Sequence, residues 1–211
     1  MRGSRMRRRD LIAGIGSAGA DAPARCCACG DQTTRRNVLA FGALIGSGLA
    51  FGRRACAEPA DERPKAGDQL VAAAATEPMA LAPGDIAAAQ ILAWPMEPGS
   101  NLVRNGSRLN KILLVRLDPA TIEGATRERS ADGVVAYSAI CPHAGCDVDG
   151  WVAEQRILEC PCHNSRYDPR NAAAIIDGPT TRALAALPLK TVDGKLTVAQ
   201  PFIGRVGIAP A

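Results

Sequence analysis

The chain has 211 residues, of which 47% are hydrophobic, 22% charged and only 3% aromatic. This composition excludes a collagen-like, heptad-repeat or wholly disordered chain, and no apolar run reaches the roughly 18–20 residues expected in a polytopic membrane protein. The net charge of +4 arises in residues 1–57, which hold ten Arg and three Asp, whereas residues 58–211 hold 15 basic and 18 acidic residues. The basic balance therefore does not predict nucleic-acid binding.

The N-terminal part has the pattern of an export signal. Arg35 and Arg36 precede an apolar stretch over residues 38–52, and residues 55–57 (Ala-Cys-Ala) offer a small-residue cleavage site. The Thr-Arg-Arg-x-x-Leu form resembles twin-arginine signals. We therefore predict that residues 1–57 are an extension with such a signal, and that the protein works in the periplasm or at the periplasmic face of the inner membrane. An uncleaved anchor and a buried helix are the alternatives for the apolar stretch.

The rest of the chain predicts one β-rich domain. Residues 58–80 are rich in Ala, Pro and charge without an apolar period, which predicts a linker. Residues 81–205 contain short β-branched runs separated by turn signals, which predicts an all-β antiparallel sandwich or small barrel. Residues 206–211 are predicted to be a C-terminal tail.

Turn signals locate the elements within this domain. Asp193-Gly194 predicts a hairpin, and residues 119–129 have room for a single helical turn. The predicted strands cover residues 86–94, 110–117, 133–140, 151–159, 186–192 and 195–199.

Two cysteine- and histidine-containing segments lie close together in the second half of the domain. Residues 141–146 read Cys-Pro-His-Ala-Gly-Cys, and residues 160–168 read Cys-Pro-Cys-His-Asn-Ser-Arg-Tyr-Asp. Four of the eight cysteines and both histidines of the chain fall within these segments. This concentration of ligand types indicates a metal centre.

The ligand types are compatible with two kinds of metal centre. Each segment supplies one Cys and one His at close spacing: Cys141, His143, Cys160 and His163. Two Cys and two His suit a tetrahedral zinc ion, but that site gives Cys146 and Cys162 no role. A 2Fe–2S cluster with two Cys on one iron and two His on the other uses the same four residues.

The spacing C-x-H-x16-C-x2-H resembles that of the Rieske iron–sulfur family. The resemblance includes the C-P-H-x-G-C box, the C-P-C-H-x-S-x-Y box and a later Gly178-Pro179-Thr180, and it covers roughly residues 81–205. It implies a Rieske-type β-sandwich with a cluster-binding subdomain of two loops, and one Rieske-type 2Fe–2S cluster.

The resemblance also implies a role for each residue of the two boxes. Cys141 and Cys160 would bind the inner iron, and His143 and His163 the outer iron. The remaining residues implied by the family are a disulfide pair, two hydroxyl donors that tune the cluster and a proline loop that covers it: Cys146 and Cys162, Ser165 and Tyr167, and Gly178 and Pro179.

The implied function is one-electron transfer by an exported subunit of a periplasmic or membrane-associated oxidoreductase. Its partners would be a cytochrome-like acceptor and a larger catalytic or membrane subunit. The alternative is the quinol-oxidising subunit of a cytochrome bc complex, with quinol as donor; Ala144 and Asn164 depart from the pattern of such subunits. A Rieske ferredoxin serving an oxygenase is disfavoured, because those ferredoxins are cytosolic and lack the disulfide between the two loops. A non-redox binding module would leave the cluster site empty.

Overall fold

The structure, a computed structural model, describes residues 59–87 and 89–208. The predicted export signal over residues 1–57 lies outside the described residues. Neither described stretch contains a helix with the length and apolar character needed to cross a membrane.

Within these two stretches the chain forms eleven β-strands and one α-helix of five residues. The prediction of an all-β domain is therefore confirmed. The elements are β1 (Gln69–Ala72), β2 (Ile91–Glu97), β3 (Leu102–Val103), β4 (Ile112–Arg116), α1 (Gly124–Glu128), β5 (Val134–Ser138), β6 (Gly150–Val152), β7 (Ile157–Cys160), β8 (Ser165–Asp168), β9 (Ala174–Asp177), β10 (Leu189–Val192) and β11 (Lys195–Val198).

The strands of the described residues form two antiparallel sheets. The larger sheet has the order β10-β11-β1-β2-β4-β5, with β3 paired to β2. The smaller sheet has the order β6-β7-β8-β9 and is a simple meander. The smaller sheet is inserted between β5 and β10, so the two cysteine-containing segments lie at its strand ends.

The central strands of the larger sheet are buried on both faces. In β4, Leu113 and Val115 belong to one apolar core, and Ile112 and Leu114 belong to another on the opposite face. Successive side chains of a strand point to opposite faces, so a strand with a core on each side needs an unbroken apolar run. This explains why β4 and β5 read as continuous hydrophobic segments.

The region predicted as a linker contributes a strand to the larger sheet. β1 pairs with β2 along its whole length and with β11 at Gln69, and Leu70 is fully buried. The prediction of a linker over residues 58–80 differs from the structure here. The alanine-rich sequence after Val71 has too little apolar alternation to indicate a strand, and pairing with two neighbours supplies what the local pattern lacks.

Buried Arg104 fastens the chain before β1 to the larger sheet. Its Nε lies 2.9 Å from Asp68 Oδ2, and its Nη1 lies 2.7 Å from Glu62 Oε2 and 3.1 Å from the Pro59 carbonyl oxygen. A guanidinium suits this position because its planar fork binds several acceptors at once. Residues 59–68 are thus part of the folded domain.

The predicted hairpin and helical turn are both confirmed. Asp193 and Gly194 have φ of 50° and 73° and connect β10 to β11, as a two-residue hairpin turn with positive φ requires. Helix α1 lies within the predicted 119–129 segment.

One predicted strand is in fact a hairpin. The segment 151–159 is divided between β6 and β7, with Arg156 in the left-handed region at φ 55° between them. β8 and β9 were not predicted as strands.

Candidate metal centre

The first cluster loop, residues 141–146, follows β5 and is closed by its own backbone. The Cys141 N–H donates to the Cys146 carbonyl at 2.8 Å, and the Gly145 N–H donates to the Cys141 carbonyl at 3.0 Å. Gly145 has φ 73°, a conformation that glycine adopts at little cost. These bonds hold the two ends of the loop together and turn its centre outward.

The second cluster loop, residues 161–164, joins β7 to β8. Cys160 and Ser165 are paired across the hairpin, and the Asn164 N–H donates to the Cys160 carbonyl at 2.9 Å. Asn164 has φ 57°. Asparagine tolerates this region better than most residues, which gives a physical reason for its presence here.

A disulfide between Cys146 and Cys162 joins the two loops. Their Cα atoms are 6.5 Å apart, a separation that a disulfide spans. The Sγ atom of Cys160 lies within 4.8 Å of both disulfide sulfurs. The bond therefore fixes the end of the first loop against the beginning of the second.

Two further cysteines, Cys141 and Cys160, are free and buried. Burial raises the pKa of the Cys160 thiol to about 11, and the neighbouring Cys141 adds to this, whereas backbone groups of Cys162 and His163 act in the opposite direction. Two buried thiolates are stable only with compensating positive charge, which a metal ion supplies. The pair is therefore suited to hold metal as thiolates.

The two histidines stand together at the surface, one on each loop. The ring centroids of His143 and His163 are 4.6 Å apart in an edge-on arrangement, and both side chains are exposed. Among the described residues, no three of Cys141, His143, Cys160 and His163 bring their ligand atoms within 4.8 Å of one another. A single tetrahedral ion would require the four candidate ligands to converge more closely, so the arrangement favours two metal ions.

Ser165 and Tyr167 point to the same side of β8, because residues two apart on a strand share a face. The Tyr167 hydroxyl lies 3.2 Å from Cys141 Sγ, and burial, reinforced by Cys141, raises the tyrosine pKa well above its ordinary value. The hydroxyl therefore stays protonated and can donate to a thiolate sulfur.

Ser165 tests whether a cluster fits this site. Its Oγ is completely buried and has no hydrogen-bond partner. A buried hydroxyl without a partner costs free energy and demands an explanation. A bridging sulfide of a 2Fe–2S cluster is an acceptor that would satisfy it, so the residues present fit that group.

The proline loop lies directly against Ser165. Gly178 follows β9 with φ 98°, and a Cβ at this position would lie 2.5 Å from Ser165 Cα. Only glycine allows so close an approach of two backbone segments. The structure thus places Gly178 and Pro179 beside the second cluster loop.

Comparison with known proteins identifies the domain. A family model for the Rieske [2Fe-2S] domain matches residues 111–189. The cytochrome bc1 complex Rieske iron-sulfur subunit of Streptomyces lividans is 33% identical over 134 residues, which cover 61% of this chain and 79% of that protein. The chain belongs to the Rieske family. As a Rieske domain it binds one 2Fe–2S cluster, and its function is electron transfer.

Two other similar proteins match this chain over a smaller part of its length than the Streptomyces lividans subunit does. A protein of Haloferax mediterranei named as a Rieske subunit of a respiratory nitrate reductase is 39% identical over 106 residues, 49% of this chain and 47% of that protein. The chain thus matches about half the length of that relative. The soluble domain of Rieske protein II from Sulfolobus acidocaldarius has a TM-score of 0.35 and 20% identity, covering 47% of this chain and 67% of that chain. The family assignment rests on the sequence matches.

The Rieske domain also has a positioning residue that the motifs did not indicate. Asp147, next to Cys146, accepts hydrogen bonds from Lys111 at 2.6 Å and Arg108 at 2.8 Å. Partial burial alone would raise the pKa of Asp147, but these two partners outweigh it and lower the pKa below its usual value. Both partners are more than 35 residues away in the chain, so no local pattern could have revealed this anchor of the first loop.

Proposed function

We propose that the chain is an exported one-electron carrier, a subunit of a periplasmic or membrane-associated oxidoreductase. Its cluster is held by thiolates of Cys141 and Cys160 on the inner iron and by imidazoles of His143 and His163 on the outer iron. The observation that carries this proposal is the pair of free, buried thiols on the same two loops that present two adjacent, exposed imidazoles.

The cysteine thiols and the histidine imidazoles differ in burial, and this indicates different roles for them. The thiols are shielded from solvent by the apolar core, whereas the imidazoles face outward, where an electron-transfer partner can contact them. Each exposed imidazole has a second ring nitrogen that can hold a proton. Proton binding at His143 and His163 can therefore follow the redox state of the domain.

The ligand set and the hydroxyl donors act in the same direction on the reduction potential. Neutral imidazoles in place of two thiolates make the bound cluster less negative, and Rieske centres accordingly span about −150 to +300 mV against about −400 mV for plant-type ferredoxins. Hydroxyl donors aimed at negative sulfur, such as Tyr167 and the buried Ser165, further favour the reduced state. We therefore expect a potential in the Rieske range.

The biological setting follows from the leader and the relatives. The twin-arginine pattern at Arg35-Arg36 supports export of a folded protein to the periplasm, which suits a chain that needs its cluster before transport. The Haloferax relative is named as a subunit of a nitrate reductase. By analogy, the proposed partners are a larger catalytic or membrane subunit and a cytochrome-like electron acceptor.

The alternative is the quinol-oxidising subunit of a cytochrome bc complex. It is favoured by the name of the Streptomyces lividans relative and by the exposure of both histidines, which a quinol would contact. Ala144 and Asn164, both exposed beside the histidines, remain the departures from the usual pattern of such subunits. We rank this setting second for that reason.

The test begins with the full chain purified from a host with a twin-arginine export system. We expect a coloured protein containing two irons per chain and a rhombic EPR signal of the Rieske type after reduction. His143→Cys should lower the potential and weaken its pH dependence, with exposed Asn164→Gly as a control that keeps the positive φ and removes no ligand. A colourless, iron-free wild-type protein would refute the proposal, and oxidation of quinol by the purified chain with its co-purifying subunits would favour the alternative.

A further inference from the structure

The last described residues, 203–208, form a C-terminal strap that returns to the first cluster loop. Ile203 pairs with Ala186 through two backbone hydrogen bonds of 2.7 and 3.0 Å. Beyond this point the strap passes Ile140, the residue before Cys141. Residues 206–208 were predicted to belong to a tail; in the structure Val206 is half-buried and Gly207 buried, whereas Ile208 is exposed.

Gly207 and Ile208 lie near the first cluster loop; Gly207 is buried, whereas Ile208 is 54% exposed. Gly207 is buried with φ 68°, and a Cβ there would lie 3.1 Å from Leu109 Cδ2 and 3.3 Å from Ile140 Cγ2. A Cβ on Gly145 would lie 3.9 Å from Ile208 Cγ2. Gly207 thus packs closely beside Ile140, the residue before the loop, and Ile208 lies near Gly145 within the loop.

One side chain, Arg182, ties this strap to the segment that follows the proline loop. Its Nη1 donates to the Arg205 carbonyl at 3.1 Å, and its Nη2 donates to the Gly207 carbonyl. The Arg182 carbonyl in turn accepts a hydrogen bond from the buried Thr180 hydroxyl at 3.2 Å. The planar guanidinium fork fits two carbonyls two residues apart, and a lysine offers no such fork.

We propose that Arg182 is a positioning residue that, through the strap, holds the first cluster loop closed against opening and so retains the cluster. The disulfide joins the first loop to the second, whereas Arg182 joins the strap beside the first loop to the segment that follows the proline loop. The effect of Arg182 on cluster retention rests on the ligand set proposed above, whereas its effect on the opening of the first loop does not.

The test compares two substitutions and one C-terminal truncation with the wild-type chain by hydrogen–deuterium exchange. Arg182→Lys keeps the charge and loses the fork, and a chain that ends at Arg205 keeps Arg182 and loses residues 206–211, which include Gly207 and Ile208. Arg205→Ala is the control, because it removes a charge but leaves the carbonyl that Arg182 binds. For the first two variants we expect the amides of residues 141–146 to exchange about tenfold faster, equivalent to about 1.4 kcal/mol of local opening.

A second readout follows the visible absorbance of the bound cluster. Arg182→Lys and the truncated chain should lose this absorbance several-fold faster than wild type, whereas Arg205→Ala should lose it at the wild-type rate. The exchange of β4 amides should stay at the wild-type rate in all three variants. The proposal would be overturned if exchange became faster in the strap but not in residues 141–146. It would also be overturned by faster exchange throughout β4, because that would indicate a general stabilising role for Arg182. If the wild-type chain never holds a cluster but its loop responds as expected, the proposed function fails and the loop clamp stands.

Discussion

The contact between Tyr167 and Cys141 yields a quantitative prediction for Tyr167→Phe. The substitution removes only the hydroxyl that lies 3.2 Å from Cys141 Sγ and leaves the ring in place. A hydrogen bond to a charged group contributes about 1.5–3 kcal/mol, and we take about 1 kcal/mol of it as the difference between the two redox states. For one electron, 1 kcal/mol corresponds to roughly 43 mV. The midpoint potential should therefore fall by about 40 mV.

The chain contains a matched control for this experiment. Tyr137 is equally buried, but its hydroxyl donates to the Pro169 carbonyl at 2.7 Å rather than to a cysteine sulfur. Tyr137→Phe should destabilise the fold by about 1 kcal/mol and leave the potential unchanged. Both potentials are measured by redox titration monitored by visible circular dichroism. Equal shifts in the two variants, or no shift in Tyr167→Phe, would refute the assignment of this hydroxyl to the cluster.

Of three further predictions, two concern stability and one concerns iron content. Arg104→Met should lower the free energy of unfolding in urea by about 3–5 kcal/mol, because it leaves the buried Asp68 carboxylate unpaired. Exposed Arg108→Met should lower it by less than about 1 kcal/mol. Similar losses in the two variants would contradict this reasoning. Gly178→Ala should lower the iron content of the purified protein, and Gly194→Ala, with open space around it, should not. The ion pairs that lower the pKa of Asp147 stabilise the fold at neutral pH, and this contribution is lost as the pH falls through the lowered pKa. Asp147→Asn should flatten this acid-side decline in unfolding free energy; an unchanged slope would exclude the ion pairs as its source.

The cluster boxes and the turns could be predicted because their signals are local. The Cys and His spacing depends on a few consecutive residues, and Asp193-Gly194 encodes its own hairpin through positive φ. The β4 and β5 runs were visible because strands with a core on each face are apolar throughout. In each of these cases the chemistry of adjacent residues decides the structure.

The features that could not be predicted depend on contacts between distant segments. β1 is a strand because β2 and β11 flank it, and its alanine-rich end carries no pattern of its own. β8 was interpreted only as part of the second box, although its Ser-x-Tyr spacing is also strand alternation. The partners of Arg104 and Asp147 lie tens of residues away in the chain, and only the folded structure brings them together.

The closeness of a free thiol to a disulfide has a consequence for the order of maturation. Cys160 Sγ lies within 4.8 Å of both bonded sulfurs, and a thiolate at that range can attack a disulfide and exchange partners. The raised pKa of Cys160 keeps it protonated near neutrality and slows this attack. A chain oxidised before it receives iron has a route to mispaired cysteines, and iron bound to Cys160, as proposed above, would close that route by occupying the sulfur.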